Sequence, residues 1–236
     1  MAVLRKMLAW ASVPLICMVA LVPYLARPFN PDNNRLLGLT VAKTGRFLLG
    51  MKRPLEGAEN MPSDRPTVVI ANHQQNDDLF IMADLLPPRT VTVGKVSLVW
   101  TPFFGQVFWL GGNIILDRGR SHKAVAAMRA TTDAIVRERK SIWVFPEGTR
   151  SRGRGLGKFK KGAFHTAIAA GAPITLVCAA PYQGESQGLS GRRKPVPVRI
   201  LPPVETADLG PEDVSALMAR CHQQMTEALA DMAAHS

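Results

Sequence analysis

A chain of 236 residues is long enough to bury a full core and suits one catalytic domain with an appendage. Its 47% hydrophobic content and mean hydropathy of +0.04 are high for a freely soluble protein yet fall well short of a multi-span membrane protein. The formal net charge of +11 points to an anionic partner (nucleic acid, acidic lipid or a phosphorylated substrate), while the three scattered cysteines Cys17, Cys178 and Cys221 suggest neither a disulfide framework nor a zinc site and fit a reducing compartment.

From Met7 to Ala26 there is no charged side chain, and those twenty residues as a helix would span about 30 Å, one hydrocarbon thickness. Arg5 and Lys6 before it also suit a signal peptide, but Tyr24-Leu25-Ala26-Arg27-Pro28 is a poor cleavage site. Pro14 and Pro23 should kink the segment, so it either crosses the bilayer or turns back within one leaflet. Leu36 to Gly50 reads as a second helix, either interfacial or packed on the core. Six cations follow the apolar segment against two before it, which puts the main domain on the cytoplasmic side. The division expected is a membrane-associated helical segment over residues 1–53 and a catalytic domain over 54–236.

Beyond Pro66, short β-branched runs alternate with longer helical ones, the pattern of an α/β domain. Buried strands are expected at Thr67 to Ala71, Thr90 to Val93, Asn113 to Leu116, Ser141 to Phe145 and Pro173 to Ala180, with an edge strand at Pro197 to Leu201. Helices are expected at Leu79 to Leu86, Ser121 to Glu138 with Ser121 as N-cap, Gly162 to Ala170, and Pro211 to Met232. Gln183 to Pro197, rich in Gly, Ser and cations, reads as a loop.

The polar cluster Asn72-His73-Gln74-Gln75-Asn76-Asp77-Asp78 follows directly on a strand, where α/β sheets carry reactive groups. On one continuous helix His73 and Asp78 would be separated by about 140° of rotation, so they meet only if a turn intervenes. In that case the carboxylate orients the imidazole as a general base; the competing reading is that Asp78 caps a helix and His73 is a satisfied loop residue. A second cluster, Phe145-Pro146-Glu147-Gly148-Thr149-Arg150, also follows a strand: Gly148 permits close backbone approach, Arg150 can fork onto phosphate, and Glu147 can accept from a hydroxyl. Six of the twelve residues from Arg150 to Lys161 are cations, either a solvated loop or an anion site. Asp117-Arg118 closes a third strand at the same edge. Oxyanion donors are sought among backbone amides beside His73 or near Gly148.

Two other chemistries are weaker. Gly184-Glu185-Ser186-Gln187-Gly188 matches a nucleophile elbow, but loop-like residues follow Ser186 where that motif needs a helix. No second histidine or cysteine stands at metal-ligand spacing from His73, so no metal is expected, and a basic loop whose one aromatic is Phe159 does not resemble a nucleic-acid module.

In their order along the chain, NHxxxxD after a strand, Asp-Arg at a strand end and FPEGTR after a third strand resemble the glycerolipid acyltransferase family. The stretches TVGKVSLVWTPFFGQVFWLGGN and FPEGTRSRGRGLGKFKKGAFH look like its bacterial members that acylate lysophosphatidic acid, and the likeness is strong over Val68 to Ala180. The resemblance implies a mixed central sheet flanked by helices, with the apolar N-terminal helix as membrane anchor. It implies His73 as general base, Asp78 and not Asp77 as its orienting carboxylate, Arg118 on the acceptor's phosphate, and Glu147, Gly148, Thr149 and Arg150 in acceptor binding. It further implies a lysophospholipid acceptor, an acyl-CoA or acyl-ACP donor as co-substrate, no other cofactor, membrane lipids and acyl carrier protein as partners, and a place on the cytoplasmic face of a bacterial inner membrane. The family's fourth motif departs here, since Pro173-Ile174-Thr175 is followed by Leu176 and not by proline. Acylation of another lysophospholipid or lyso-aminolipid, a catalytically dead scaffold, and a Ser186 hydrolase are the competing functions.

Overall fold

β-Branched residues in strictly alternating orientation build the centre of the molecule. In a computed structural model, which describes residues 2–116, 121–182 and 195–235 and, over 121–127, the backbone alone, the described strands form one seven-stranded sheet. In chain order these are β1 (Leu55–Glu56), β2 (Val68–Ala71), β3 (Thr90–Lys95), β4 (Ile114–Leu116), β5 (Ser141–Val144), β6 (Ile174–Ala179) and β7 (Val198–Ile200), arranged β1-β7-β6-β2-β5-β3-β4. β2 lies parallel between β5 and β6, and β5, β3 and β4 continue parallel; β7 is antiparallel to β6 and parallel to β1, which makes the sheet mixed.

The period of two sends alternate side chains into two cores. Val68, Ile70, Ile142, Ile174 and Leu176 enter one core, shared with α5 (Ser121–Val136), α6 (Gly162–Ala170) and α7 (Val214–Ala234). Val69, Ala71, Trp143, Val177 and Ala179 enter the other, shared with α1 (Ala2–Ala26), α2 (Asp32–Leu49), α3 (Asp78–Met82) and α4 (Phe104–Leu110). Each fully buried aliphatic contributes about 1.5–3 kcal/mol, so the α/β domain is a mixed sheet held between two helical layers mainly by this burial.

Beyond Arg5 and Lys6, helix α1 is apolar on every side. Ala9, Val13, Cys17 and Tyr24 are buried against the protein, whereas Val3, Met7, Leu15, Val19, Val22 and Leu25 point outward and are exposed. The helix is long and apolar enough to cross a membrane. It runs unbroken through Pro14 and Pro23, so the expected kinks do not end it, and at 25 residues it is about 37 Å long. Helix α2 buries Gly38, Val41, Ala42, Gly45 and Leu49 and packs on α1 and α3, which makes it the core-packed helix of the two readings given above, with Leu36 and Phe47 left outside.

Several boundaries differ from expectation. The strand expected at the sheet edge, β7, is interior by one place, because the two-residue β1 pairs outside it. Leu79 to Leu86 is α3 followed by a 3-10 turn, Ala83–Leu85, stopped ahead of Pro87 and Pro88. Helix α4 and the 3-10 segment Val96–Trp100 were not expected. Helix α5 ends two residues early, at Val136, and the capping role expected of Ser121 rests on a side chain outside the described set. Pro211 opens a 3-10 turn, Pro211–Asp213, and α7 begins only after it.

Candidate active site

The carboxyl ends of β2, β5 and β6 stand side by side, the position at which open α/β sheets gather reactive groups. Strand β2 stops at Asn72, whose amide side chain donates to the Ala179 carbonyl at 2.9 Å and accepts the Ala179 N–H at 2.8 Å. The chain then turns through His73 to Asp77 before α3 begins at Asp78. That turn brings His73 and Asp78 together: Nδ1 of His73 lies 2.6 Å from Oδ2 of Asp78. The same oxygen accepts the N–H groups of Gln74 (2.7 Å) and Gln75 (3.1 Å), so Asp78 ties the turn before it as well as orienting the imidazole. An ionised carboxylate only accepts, which places the proton on Nδ1 and leaves Nε2 of His73 with its lone pair. Asp78 is buried, while the His73 side chain keeps 23% exposure, enough for a substrate to reach it. The imidazole stacks on Phe145, with centroids 4.1 Å apart and planes 18° apart.

The loop after β5 holds His73 by its backbone. Glu147 Oε1 accepts the His73 N–H at 2.7 Å, and the His73 carbonyl accepts the Ser151 N–H at 2.8 Å. The second Glu147 oxygen accepts the Gly157 N–H at 2.8 Å. A Cβ at Gly157 would stand 2.6 Å from that oxygen, which requires glycine there. Glu147 is buried between these two backbone amides and acts as a clamp on the residue carrying the imidazole. Gly148 has φ +71°, and the Lys160 side chain lies across it, while Thr149 is exposed at the turn. Arg150, half-buried, donates to Asn76 Oδ1 and so lies beside the His73 turn. Of the remaining cations in this run, Arg152, Arg154, Lys158 and Lys160 are exposed, and Lys161 reaches Ser215 on α7 at 3.1 Å.

The amides expected to serve an oxyanion already have partners: His73 on Glu147, Gln74 and Gln75 on Asp78, and Gly148 on the Phe145 carbonyl at 3.1 Å. Arg118 and the motif around Ser186 lie outside the described residues, although β4, which leads to Arg118, ends at the same sheet edge. The sequence did not give the roles of Gln74, of Phe145 as a stacking partner, or of Tyr182. Asp77 is buried toward α1, accepting from Trp10 Nε1 at 3.0 Å with Lys6 Nζ 3.9 Å away. Tyr182 donates to the free side of Asp78, Oδ1, at 2.6 Å. Its signal was available as a lone aromatic just beyond a strand parallel to β2.

The model of the Acyltransferase family matches residues 52–179, more than half of the chain. This chain belongs to the acyltransferase family. The acyltransferase is 41% identical over 221 residues to the 1-acyl-sn-glycerol-3-phosphate acyltransferase of Salmonella typhimurium, covering 92% of this chain and 89% of that one. It is 38% identical over 218 residues to the protein of that name from Escherichia coli (92% and 89% covered), and 35% identical over 226 residues to the human alpha form (93% and 78%). The crystal structure of the 1-acyl-sn-glycerophosphate (LPA) acyltransferase PlsC from Thermotoga maritima superposes with a TM-score of 0.76 at 21% identity, over 99% of this chain and 98% of that one, so the two share a fold.

In this acyltransferase the cysteines are poor nucleophiles. All three are buried, and burial pushes the thiols of Cys178 and Cys221 up to about 12, far from thiolate at neutral pH. Removing the Glu147 clamp should be costly: Glu147→Ala orphans two amides at about 1–3 kcal/mol each, and a fall in melting temperature of about 5–15 °C is expected in thermal unfolding. An unchanged melting curve would show that the carboxylate does not hold the turn.

Proposed function

We propose that the chain transfers a fatty acyl group from acyl-CoA or acyl-ACP to the sn-2 hydroxyl of 1-acyl-sn-glycerol-3-phosphate, giving phosphatidic acid. The observation that carries the reading is the Asp78-oriented His73, with Nε2 turned away from its partner and Arg150 beside it. Nε2 of His73 takes the proton from the acceptor hydroxyl as its oxygen attacks the thioester carbonyl. The new C–O bond forms, the tetrahedral oxyanion collapses, the C–S bond breaks, and the proton passes from the imidazolium to the leaving sulfur. Between these events the imidazolium is stabilised by the Asp78 carboxylate and the face of Phe145. No covalent enzyme intermediate is needed.

The acceptor's phosphate is assigned to Arg150 and Arg118, which would hold the hydroxyl near attack distance. The acceptor's acyl chain lies in the bilayer, and the outward apolar face of α1 seats the site at its surface. The excess of cations after α1 favours the cytoplasmic face of a bacterial inner membrane.

The test is acyl transfer by purified protein in detergent from radiolabelled acyl-CoA, and separately from acyl-ACP, to lysophosphatidic acid and other lysophospholipids. Phosphatidic acid as the main product supports the reading; product only from another lysolipid would move the acceptor, and free fatty acid alone would favour a hydrolase. Arg150→Ala should raise the acceptor's KM about 10- to 100-fold and leave that of the thioester unchanged. Equal weakening of both substrates would remove Arg150 from the phosphate.

A further inference from the structure

The residue that closes the dyad from the side opposite to His73 comes from a third strand. β6 runs parallel beside β2, and two residues beyond Ala180 the chain reaches Tyr182, whose hydroxyl donates to Asp78 Oδ1 at 2.6 Å. His73, Gln74 and Gln75 all use the other oxygen, so Tyr182 has Oδ1 to itself among the hydrogen bonds described. The phenol is held there by the chain's own contacts. Buried Gln74 donates from Nε2 to the carbonyls of Ala179 and Ala180, at 3.0 Å each, and its Oε1 accepts the Tyr182 N–H at 3.2 Å. Pro181 between them fixes one more backbone dihedral. A turn residue on β2 thus clasps the exit of β6 and delivers the phenol to the carboxylate.

We propose that Tyr182 is a positioning residue for acyl transfer, its hydroxyl fixing the plane of the Asp78 carboxylate and withdrawing part of its charge, so that it tunes the basicity of His73. The proposal rests on the reading of His73 as the base. A carboxylate that shares its charge with a phenol stabilises the neighbouring imidazolium less than one that does not. Loss of the hydroxyl therefore makes His73 harder to deprotonate, and the base form on which turnover depends is reached only at higher pH. Among the described residues the other charged groups near the pair are Asp77, held with Lys6 of α1; Glu147 on the His73 amide; and Arg150 and Lys160 from the loop after β5. Removing one phenolic oxygen alters none of them.

The experiment measures kcat and both KM values across pH for the full chain in detergent, comparing the natural protein, Tyr182→Phe and a protein carrying 3-fluorotyrosine at position 182. The expected results for Tyr182→Phe are a kcat about 10-fold lower, both KM values within about twofold, and an acid limb moved up by about 0.5 pH. Fluorotyrosine keeps the shape and is the stronger donor, so its acid limb should move the opposite way, which no folding defect would produce. Unchanged kcat and pH profile in both proteins would overturn the proposal, and so would a raised acceptor KM at unchanged kcat, which would make Tyr182 a substrate contact. His73→Ala separates this failure from that of the underlying reading: full activity there removes the base itself, whereas an inactive His73→Ala beside an unaffected Tyr182→Phe removes only the positioning role.

Discussion

His73→Ala is expected to lower kcat by about 10²–10⁴-fold, the range of a lost general base, with both KM values near those of the natural protein. The fold should survive the change, because the contacts that fix this turn do not pass through the ring. The His73 N–H and carbonyl stay bound to Glu147 and Ser151, and Asp78 keeps the amides of Gln74 and Gln75 and the Tyr182 hydroxyl. The buried carboxylate is thus not left as an unpaired charge, and the loss in packing is one ring against Phe145. Measured on protein with an unchanged melting curve, near-normal turnover would end the assignment of His73 as base.

What the sequence disclosed about this site follows from the reach of each interaction. His73 and Asp78 belong to one turn, so a strand run, a polar cluster and a spacing of five were enough to offer their meeting as one of two readings, and the turn itself decides for it. Glu147 was singled out, but its clamping role was not legible, because its second partner is the amide of Gly157, ten residues on across a glycine-rich loop. Gln74 carried no legible signal, since its partners come from the end of β6, more than a hundred residues away. The same holds for Tyr182. Asp77 and Asp78 are adjacent acids that only the resemblance told apart in the sequence; in the structure Asp77 accepts from Trp10 of α1 while Asp78 faces the imidazole.

The fold divides in the same way. The central strands carry their own signal as apolar runs, as at Val68 to Ala71, where all four residues are buried and two side chains enter each core. β1, two exposed residues long, carries none, and without it β7 had to read as the edge. The seven residues of α4 give one apolar repeat, Phe104 with Val107 and Phe108, too short to stand out from a buried strand. Whether α2 faced lipid or protein depended on what packed against it, and Leu36 and Phe47 outside beside Val41 and Leu49 inside show how little the composition of that helix distinguishes its faces.

The second large effect expected is at Asp78. Asp78→Asn should lower kcat by about 10²–10³-fold with little change in either KM. An asparagine has one oxygen for a position that receives three donors and one nitrogen for a position that faces a phenol, which can turn to accept. Only one orientation therefore satisfies the turn: the oxygen toward His73, Gln74 and Gln75, the amide nitrogen toward Tyr182. The proton then stays on Nδ1, and the geometry of the base is preserved while the negative charge that stabilises the imidazolium is lost. The decisive comparison is the double variant. If Asp78 acts through His73 alone, adding Asp78→Asn to His73→Ala costs nothing further, because the group it supports is already gone. Losses that multiplied in the double variant would instead put the carboxylate in direct contact with the reacting groups.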